Sequence, residues 1–288
     1  MRAAQGWNDY ELIDASAGRR LERWGSYTLV RPDPQVIWRT DESDSRWRKA
    51  DAVYQRSEKG GGAWNFNHRL PNEWKISWNN EIKLVVTPTG FKHTGVFPEQ
   101  AANWTLYKEL ISNAGRQINV LNLFGYTGAA TVACLASGAS VCHVDASKGM
   151  VAQAKRNVEL NGLADAHIRY IVDDCAKFVQ REARRGHKYD AIIMDPPSYG
   201  RGPSGELWRL EDNVFDLVCS CTEVLSDNPL FFALNSYTTG LAPTAAGCVV
   251  AEALRRFNAN VTSDEIGLPI TNANMVLPCG ATSIATFK

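Results

Sequence analysis

A pair of glycines, Gly125 and Gly128, separates an apolar run from a helical pattern. Glycine lets a ligand approach the backbone closely, and the first turn of a helix offers N–H groups that its own backbone does not use. A tight strand-to-helix turn without a ligand explains the pair equally well. Because the spacing departs from the G-x-G-x-x-G of dinucleotide-binding enzymes, it disfavours an oxidoreductase.

Acidic residues follow the next two predicted strands. Asp145 lies twenty positions after Gly125 and can accept hydrogen bonds from both ribose hydroxyls of an adenosine ligand. Asp173 and Asp174 follow the third strand, where a carboxylate can accept from an adenine amino group, and we favour Asp174 for this role. Each of these aspartates has an alternative role as the cap of the helix that follows it.

Asp195 follows the fourth predicted strand, and two prolines come directly after it. The prolines make a rigid, extended turn in the crevice where open α/β sheets bind ligands, although a purely structural turn would also account for them. We hypothesise that the Asp195 carboxylate and the Pro196 carbonyl orient an acceptor amine. Tyr199 either stacks on the substrate or packs against the sheet. Four motifs after four successive strands favour a ligand site over coincidence.

The elements that must position these motifs alternate between strand and helix from about residue 117 onward. Apolar periodicity predicts strands at 118–123, 140–145, 168–172, 189–194 and 230–235. It predicts helices at 129–137, 149–161, 175–185, 208–225 and 244–257. Such alternation gives a mainly parallel sheet with helices on both faces. Two last strands, 260–265 and 281–287, lack a clear helix between them and predict an antiparallel hairpin at the sheet edge.

The first 98 residues have a different composition. Short aromatic and β-branched runs separated by turn residues predict a small β-rich domain, and seven of the nine tryptophans lie in it. This part has 15 basic and 12 acidic residues, against 16 and 19 in the remainder. We therefore predict two domains, 1–98 and 99–288. The zero net charge argues against a wholly basic nucleic-acid coat protein but leaves room for a local basic face.

Taken together, the motifs resemble the class I S-adenosylmethionine-dependent methyltransferases, and more closely the ribosomal RNA large-subunit methyltransferase I-like family. The resemblance extends from about Trp64 to the C-terminus and is carried by residues 90–100, 122–128, 145–148, 161–163 and 195–197. It implies an α/β, Rossmann-like fold with a seven-stranded sheet and S-adenosyl-L-methionine as cofactor. The residues assigned to cofactor binding are Thr94, Gly95, Asn122, Phe124, Gly125, Thr127, Gly128, Asp145, Ser147, Asp173, Asp174, Cys175 and Asp195.

The resemblance also implies methyl transfer to a nucleobase of RNA, with ribosomal RNA as the substrate. A base in folded RNA would have to leave its stack to enter the crevice. Members that form 5-methylcytosine use a Cys thiolate in a Ser-Cys-Ser setting after the fifth strand, where this chain has Asn235 and Ser236. Cys221 lies on the preceding predicted helix, and we do not transfer the role to it.

Amino-group methylation is the other chemistry that these motifs suggest. Enzymes of that kind often carry an aromatic residue directly after Asp/Asn-Pro-Pro. Here Ser198 takes that position, and Tyr199 comes one residue later.

Aromatic and basic residues alternate in Trp38-Arg39 and in residues 46–49, as they do on surfaces that follow a nucleic-acid backbone. The alternative is that the tryptophans form the core of the small domain and the basic residues its solvated surface. Residues 200–205 predict a mobile loop beside the crevice, with Arg201 available for a phosphate.

Several classes of protein are disfavoured. We expect a cytoplasmic enzyme with no membrane span and no metal, since the N-terminus lacks an apolar signal region and seven scattered cysteines indicate reduced thiols. The sequence leaves open whether the protein forms a homodimer. One alternative function is methylation of a protein side chain or a small molecule. Another is a cofactor-binding RNA-recognition protein that has lost catalysis.

Overall fold

The computed structural model describes residues 1–57, 61–90, 92–201, 207–238 and 240–287, with the backbone alone at Arg201. The chain forms two compact units. The first comprises Met1–Ala102 and Ile266–Cys279, and the second comprises Asn103–Glu265 and Gly280–Lys288. The sequence pattern places a boundary near this point, at 98/99, but it does not separate Ile266–Cys279 from the second domain. Most of the loop predicted over 200–205 lies outside the described residues.

The first unit is rich in β-structure, as the sequence predicts. Strands β2 to β4 form an antiparallel meander, β5 continues it in parallel, and β7 and β8 form a separate antiparallel pair. Its strands are β1 (Arg2–Ala3), β2 (Tyr10–Ser16), β3 (Arg19–Trp24), β4 (Tyr27–Pro32), β5 (Ala52–Arg56), β6 (Gly62–Phe66), β7 (Trp74–Trp78) and β8 (Ile82–Val86). The short helix α1 (Arg46–Lys49) precedes β5, and a 3-10 turn covers Pro98–Gln100.

The second unit is an α/β sheet with helices between its strands. Its helices are α2 (Ala101–Ser112, which begins in the first unit), α3 (Ala129–Ala136), α4 (Lys148–Leu160), α5 (Cys175–Arg184), α6 (Leu210–Thr222) and α7 (Pro243–Ala253). Its strands are β9 (Asn119–Leu123), β10 (Ser140–Asp145), β11 (Ile168–Val172), β12 (Ala191–Met194), β13 (Tyr199–Arg201), β14 (Leu207–Arg209) and β15 (Phe231–Ser236), together with the parts of β16 (Asn260–Ile270) and β17 (Met275–Thr286) that lie outside Ile266–Cys279.

The main sheet of this unit has the order β11-β10-β9-β12-β15-β17-β16. The first five strands are parallel, and β17 is antiparallel to β15. Parallel strands are covered on both faces and therefore carry continuous apolar runs, as in the fully buried β12. This arrangement confirms the predicted Rossmann-like fold. The strand count exceeds seven because the hairpin β13–β14 is added and the first unit has strands of its own.

Several predicted boundaries differ from the structure; the helix predicted to end at 257, for example, ends at Ala253. The helix predicted from 208 begins at Leu210, because Leu207–Arg209 instead pair with Tyr199–Arg201 as the hairpin β13–β14. The last two strands are longer than predicted, since β16 runs on to Ile270 and β17 begins at Met275.

A buried carboxylate stabilises α5 against the strands. Glu182 accepts hydrogen bonds from the Tyr189 hydroxyl at 2.6 Å, from Arg169 at 3.1 Å and from His187 at 3.0 Å. Burial alone would raise the pKa of Glu182, but these hydrogen bonds outweigh it and lower the pKa to about 2. The ionised carboxylate is therefore a structural group of the second unit.

Candidate active site

The sequence motifs meet at the point where the strand order of the second unit reverses. Strand β9 pairs in parallel with β10 on one side and with β12 on the other, so the chain leaves β9 in one direction and later returns to its opposite edge. Leu123 pairs with both Val144 and Met194. The residues that follow the three strands therefore leave the sheet at the same carboxyl edge, where open α/β sheets bind ligands.

The turn after β9 has an unusual backbone. Phe124 and Tyr126 have φ values of 55° and 50°, and Gly128 has a φ of 83°. Non-glycine residues seldom adopt positive φ, and such residues concentrate at functional sites. A Cβ atom at Gly125 would lie 2.5 Å from the His143 Nδ1 atom, and one at Gly128 would lie 2.7 Å from the Ala154 Cβ atom. The two glycines are thus required by close packing beneath the turn.

Three buried side chains support this turn. Asn122 donates to the Thr131 hydroxyl at 2.9 Å, and that hydroxyl lies 2.9 Å from the His143 Nδ1 atom. Burial lowers the pKa of His143 to about 4, so its ring is neutral at pH 7 and Nδ1 can accept from Thr131. Asn122 therefore has a visible structural role beneath the turn, beside the cofactor role predicted for it.

Asp145 is held by two backbone groups. Its carboxylate accepts from the N–H of Tyr126 at 2.9 Å and from the N–H of Ser147 at 2.8 Å. Ser147 in turn caps α4, because its hydroxyl accepts from the N–H of Met150. These bonds fix the half-buried Asp145 carboxylate at the end of β10 and connect it to the glycine turn.

The aspartates after β11 both have protein partners. Asp174 is the N-cap of α5, since its Oδ1 atom accepts from the N–H of Lys177 at 2.9 Å. Asp173 forms an ion pair with Arg181 and accepts from the N–H of Asp174. The structure thus assigns a capping role to Asp174 that the sequence pattern left open, and this role occupies one of its two carboxylate oxygens.

Cys175 and Thr127 connect the glycine turn to its neighbours. The Cys175 sulfur accepts from the N–H of Phe124 at 3.3 Å, and burial raises the pKa of this thiol far above its usual range. Thr127 is buried, and its carbonyl accepts from the buried Asn157 side chain at 2.8 Å. The neutral Cys175 thiol is suited to supporting the turn and not to nucleophilic attack.

The turn after β12 is fixed by its neighbours. The Asp195 Oδ1 atom accepts from the Asn235 Nδ2 group at 2.8 Å. The indole N–H of Trp208 donates to the Pro197 carbonyl at 2.6 Å, and the Thr238 hydroxyl donates to Ser198 at 2.8 Å. These contacts hold the segment in place with a carboxylate and backbone carbonyls at the sheet edge.

The two other predicted residues of this segment differ in exposure. Pro196 is buried, and within the described part of the chain no donor reaches its carbonyl. Tyr199 is 57% exposed, so its ring does not pack against the sheet.

Thr94 and Gly95 belong to the first unit. Thr94 is buried, and its hydroxyl has no hydrogen-bond partner among the described residues. Gly95 has a φ of 87°, a conformation that favours glycine. The other predicted site residues all lie in the second unit.

Sequence reasoning missed several residues of the site. Asn235 and Asn157 are buried and bind Asp195 and Thr127, from which they are 40 and 30 positions away in sequence. Thr131 and His143 are also buried, and Thr131 links His143 to Asn122. Asn235 carried a usable signal, since it is a polar residue at the end of a strand that neighbours β12. The aromatic partner of the turn, Trp208, also lay outside every motif.

The predicted basic surface of the first unit is reduced by intramolecular contacts. The Trp47 ring is buried and donates to Asp14 at 2.8 Å, which fits a core role. Arg46 forms an ion pair with Asp44 at 2.6 Å. Arg48 and Lys49 are exposed, as is Arg39 in the preceding segment, and we name these three residues the basic patch.

Two negative observations apply to the described ranges alone. There, no cluster of three or more His, Cys, Asp or Glu side chains has the geometry to bind a metal ion. None of the helices in those ranges has the length and apolar character needed to cross a membrane.

Comparison with known proteins agrees with the fold and the motifs. A crystal structure of an S-adenosylmethionine-dependent methyltransferase from Agrobacterium tumefaciens is 38% identical, with a TM-score of 0.94, and the match covers 99% of this chain and 93% of that one. A methyltransferase structure from Streptococcus mutans has the same fold at 20% identity, with a TM-score of 0.76 over 98% of this chain and 76% of that one.

Curated relatives include a ribosomal RNA large subunit methyltransferase I from Tolumonas auensis, 30% identical over 78% of this chain and 52% of the relative. The enzyme of that name from Salmonella arizonae is 35% identical over 69% of this chain and 55% of the relative. The chain thus spans about half the length of these relatives. Residues 16–213 match the sequence profile of the S-adenosylmethionine-dependent methyltransferases. This chain belongs to the S-adenosylmethionine-dependent methyltransferase family.

Proposed function

We propose that this protein transfers a methyl group from S-adenosylmethionine to an exocyclic amino group of a nucleobase in ribosomal RNA. The observation that carries the proposal is the Asp195 carboxylate, held by Asn235 beside the glycine turn at the edge where the strand order reverses. The RNA substrate is inferred from the relatives, which are named ribosomal RNA methyltransferases.

The side chains at this edge fit the cofactor. Gly125 and Gly128 let the turn pack closely on His143 and Ala154. Helix α3 begins directly after the turn, so its first N–H groups suit an anionic group such as the cofactor carboxylate. We assign the ribose hydroxyls to Asp145 and the adenine amine to Asp174, whose Oδ1 atom is engaged in the cap. The bound cofactor supplies a methyl group already activated by the sulfonium charge.

The acceptor would be aligned by the turn after β12. An exocyclic amine can donate its two N–H groups to the Asp195 carboxylate and the Pro196 carbonyl, which leaves its lone pair to face the methyl carbon. The amine nitrogen would take the methyl group from the sulfonium, leaving a neutral thioether, and the proton released by the amine would go to the Asp195 carboxylate. Because the chemistry is in the cofactor, the protein contributes mainly by alignment. The exposed Tyr199 ring is suited to stacking on the base.

The positions of the cysteines favour amino-group methylation over a mechanism in which a Cys thiolate attacks the base. Cys221 is fully buried on α6, and burial raises the pKa of its thiol well above the usual range. At the end of β15, Asn235 uses its amide to bind Asp195. Formation of 5-methylcytosine needs a thiolate at the base, and neither of these positions supplies one.

We further propose that the basic patch of the first unit, Arg39, Arg48 and Lys49, contacts the RNA backbone. These side chains are exposed, whereas Arg46 is partly neutralised by Asp44. Phosphate contacts of this kind carry no sequence information but raise affinity in a salt-dependent manner.

The direct test is incubation of the protein with methyl-labelled S-adenosylmethionine and ribosomes that lack the corresponding methylation. We expect label in the ribosomal RNA fraction. Label in ribosomal protein would favour the side-chain methyltransferase instead. Binding of cofactor and RNA without any transfer would favour a protein that recognises RNA and has lost catalysis.

A further inference from the structure

Three buried side chains form a row of hydrogen bonds that ends on the Asp195 carboxylate. Asn103 on α2 donates to the Thr282 hydroxyl at 2.9 Å, and that hydroxyl donates to the Asn235 Oδ1 atom at 2.6 Å. The Asn235 Nδ2 group then donates to Asp195 at 2.8 Å. The exposed fractions of Asn103, Thr282 and Asn235 are 0%, 1% and 2%. All four residues belong to the second unit.

The backbone register brings these side chains together. Asn235 and Thr282 are direct partners across the antiparallel pair β15–β17. Leu234 pairs with Met194 in the parallel pair β12–β15, so the next residues along the two strands, Asn235 and Asp195, are neighbours as well. This row of hydrogen bonds is therefore a consequence of strand pairing and does not depend on one side-chain rotamer alone.

The hydrogen bonds of this row all have the same donor-to-acceptor direction, from Asn103 toward Asp195. A threonine hydroxyl has a single proton, and here it goes to Asn235 while the hydroxyl oxygen accepts from Asn103. This order requires Asn235 to present its oxygen to Thr282 and its N–H to Asp195. If the amide were reversed, its oxygen would face a carboxylate oxygen, and a buried polar contact would be lost.

We propose that Asn235, oriented by Thr282 and Asn103, is a positioning residue that holds the Asp195 carboxylate in the geometry that aligns the acceptor amine for methyl transfer. The inference rests on the proposed function, because it assigns a purpose to the orientation of Asp195. It gives the end of β15 a role different from that of the nucleophile in relatives that form 5-methylcytosine. Asn235 acts through Asp195, to which its Nδ2 group donates.

The test removes the orientation of Asn235 while keeping the shape of the core. Thr282→Val is nearly isosteric and deletes the hydroxyl, and Thr282→Ser keeps it. Ser283→Ala is the matched control: it removes a buried hydroxyl from the next residue of β17, whose partner is Ser263 at 2.9 Å. Thermal unfolding and cofactor titration establish that each variant is folded and binds S-adenosylmethionine.

For Thr282→Val we expect kcat for methyl transfer to fall about tenfold, with KM and cofactor affinity unchanged, since small displacements of aligning groups have effects of up to about a hundredfold. Thr282→Ser should restore kcat to within about twofold, and Ser283→Ala should leave it unchanged. Equal losses in Thr282→Val and Ser283→Ala would overturn the inference, because they would indicate a general effect of core packing. An unchanged kcat in Thr282→Val would also overturn it.

A second measurement needs no substrate and separates this inference from the proposed function. Crystal structures of the wild type and of Asn235→Leu should show one ordered Asp195 conformer in the first and displaced or multiple conformers in the second. The same single conformer in both would refute the positioning role. If the wild type transfers no methyl group to RNA, the proposed function fails, while these structures still decide whether Asn235 orients Asp195.

Discussion

Replacing Gly125 by alanine tests the packing beneath the glycine turn. The added Cβ atom would lie 2.5 Å from the His143 Nδ1 atom, whereas ordinary contacts begin at 3.4 Å. Either the His143 ring or the turn must move by about 1 Å to relieve this overlap. The ring is fully buried and bonded to Thr131, so it has little freedom to move.

The expected effect has two parts. Inserting a methyl group into a well-packed region destabilises a protein by about 1–3 kcal/mol. If the turn moves, the groups that we propose hold the cofactor move with it, and a displacement of about 1 Å reduces affinity or rate by up to about a hundredfold. We therefore expect Gly125→Ala to be less stable and to bind S-adenosylmethionine at least about tenfold more weakly.

Urea unfolding and calorimetric titration with S-adenosylmethionine measure the two parts. Gly149→Ala is the control, because its Cβ atom would make an ordinary 3.8 Å contact with the Ser147 Oγ atom, and Gly149 lies in α4, where alanine is favoured over glycine. The double variant Gly125→Ala/His143→Ala should lose less stability than the sum of the single changes, since the ring that causes the overlap is gone. A Gly125→Ala variant that matched the wild type in stability and affinity, or strict additivity of the two changes, would refute this role of the glycine.

Three further predictions concern other parts of the molecule. Asp145→Asn should weaken cofactor binding about tenfold in calorimetry, because the carboxylate oxygens accept from the N–H groups of Tyr126 and Ser147 and an amide cannot replace both acceptors. Unchanged affinity would exclude the ribose role. Glu182→Gln should lose at most about 3 kcal/mol of stability at pH 7 in urea unfolding. Because the pKa of Glu182 is lowered, this stabilisation is present above the ordinary pKa of 4.5 and is lost as the pH falls toward about 2. The free energies of unfolding of wild type and variant should therefore converge in acid, and a constant difference would contradict this. Charge reversal of Arg48 and Lys49 should weaken RNA binding and reduce its salt dependence, whereas reversal of the exposed Lys75 should not; equal effects would argue against the basic patch.

The local elements of the second unit could be predicted closely from the sequence. The predicted bounds of β10 and β11 agree with the structure, because apolar runs and turn residues define buried parallel strands clearly. The helix predicted at 175–185 likewise matches α5 to within a residue. The hairpin β13–β14 was missed, since each strand has three residues and carries no periodic pattern.

Contacts distant in sequence could not be predicted in the same way. Asn103 and Thr282 are 179 positions apart, and only the order of strands and helices brings them to Asn235. Capping and ligand binding also favour the same residue type at the same place, so the sequence could not decide between them for Asp174. The structure assigns the cap to Asp174, whereas its adenine role stays a prediction.

Nucleoside analysis of the RNA product tests the proposed amino-group methylation most directly. Ribosomal RNA incubated with the protein and methyl-labelled S-adenosylmethionine would be digested to nucleosides and resolved by mass spectrometry, with Asp195→Ala as the matched reaction. We predict a labelled nucleoside methylated on an exocyclic amine, absent from the Asp195→Ala reaction. A label on carbon 5 of cytosine, on a ribose hydroxyl or only in protein, or a label that survives Asp195→Ala, would contradict the proposal.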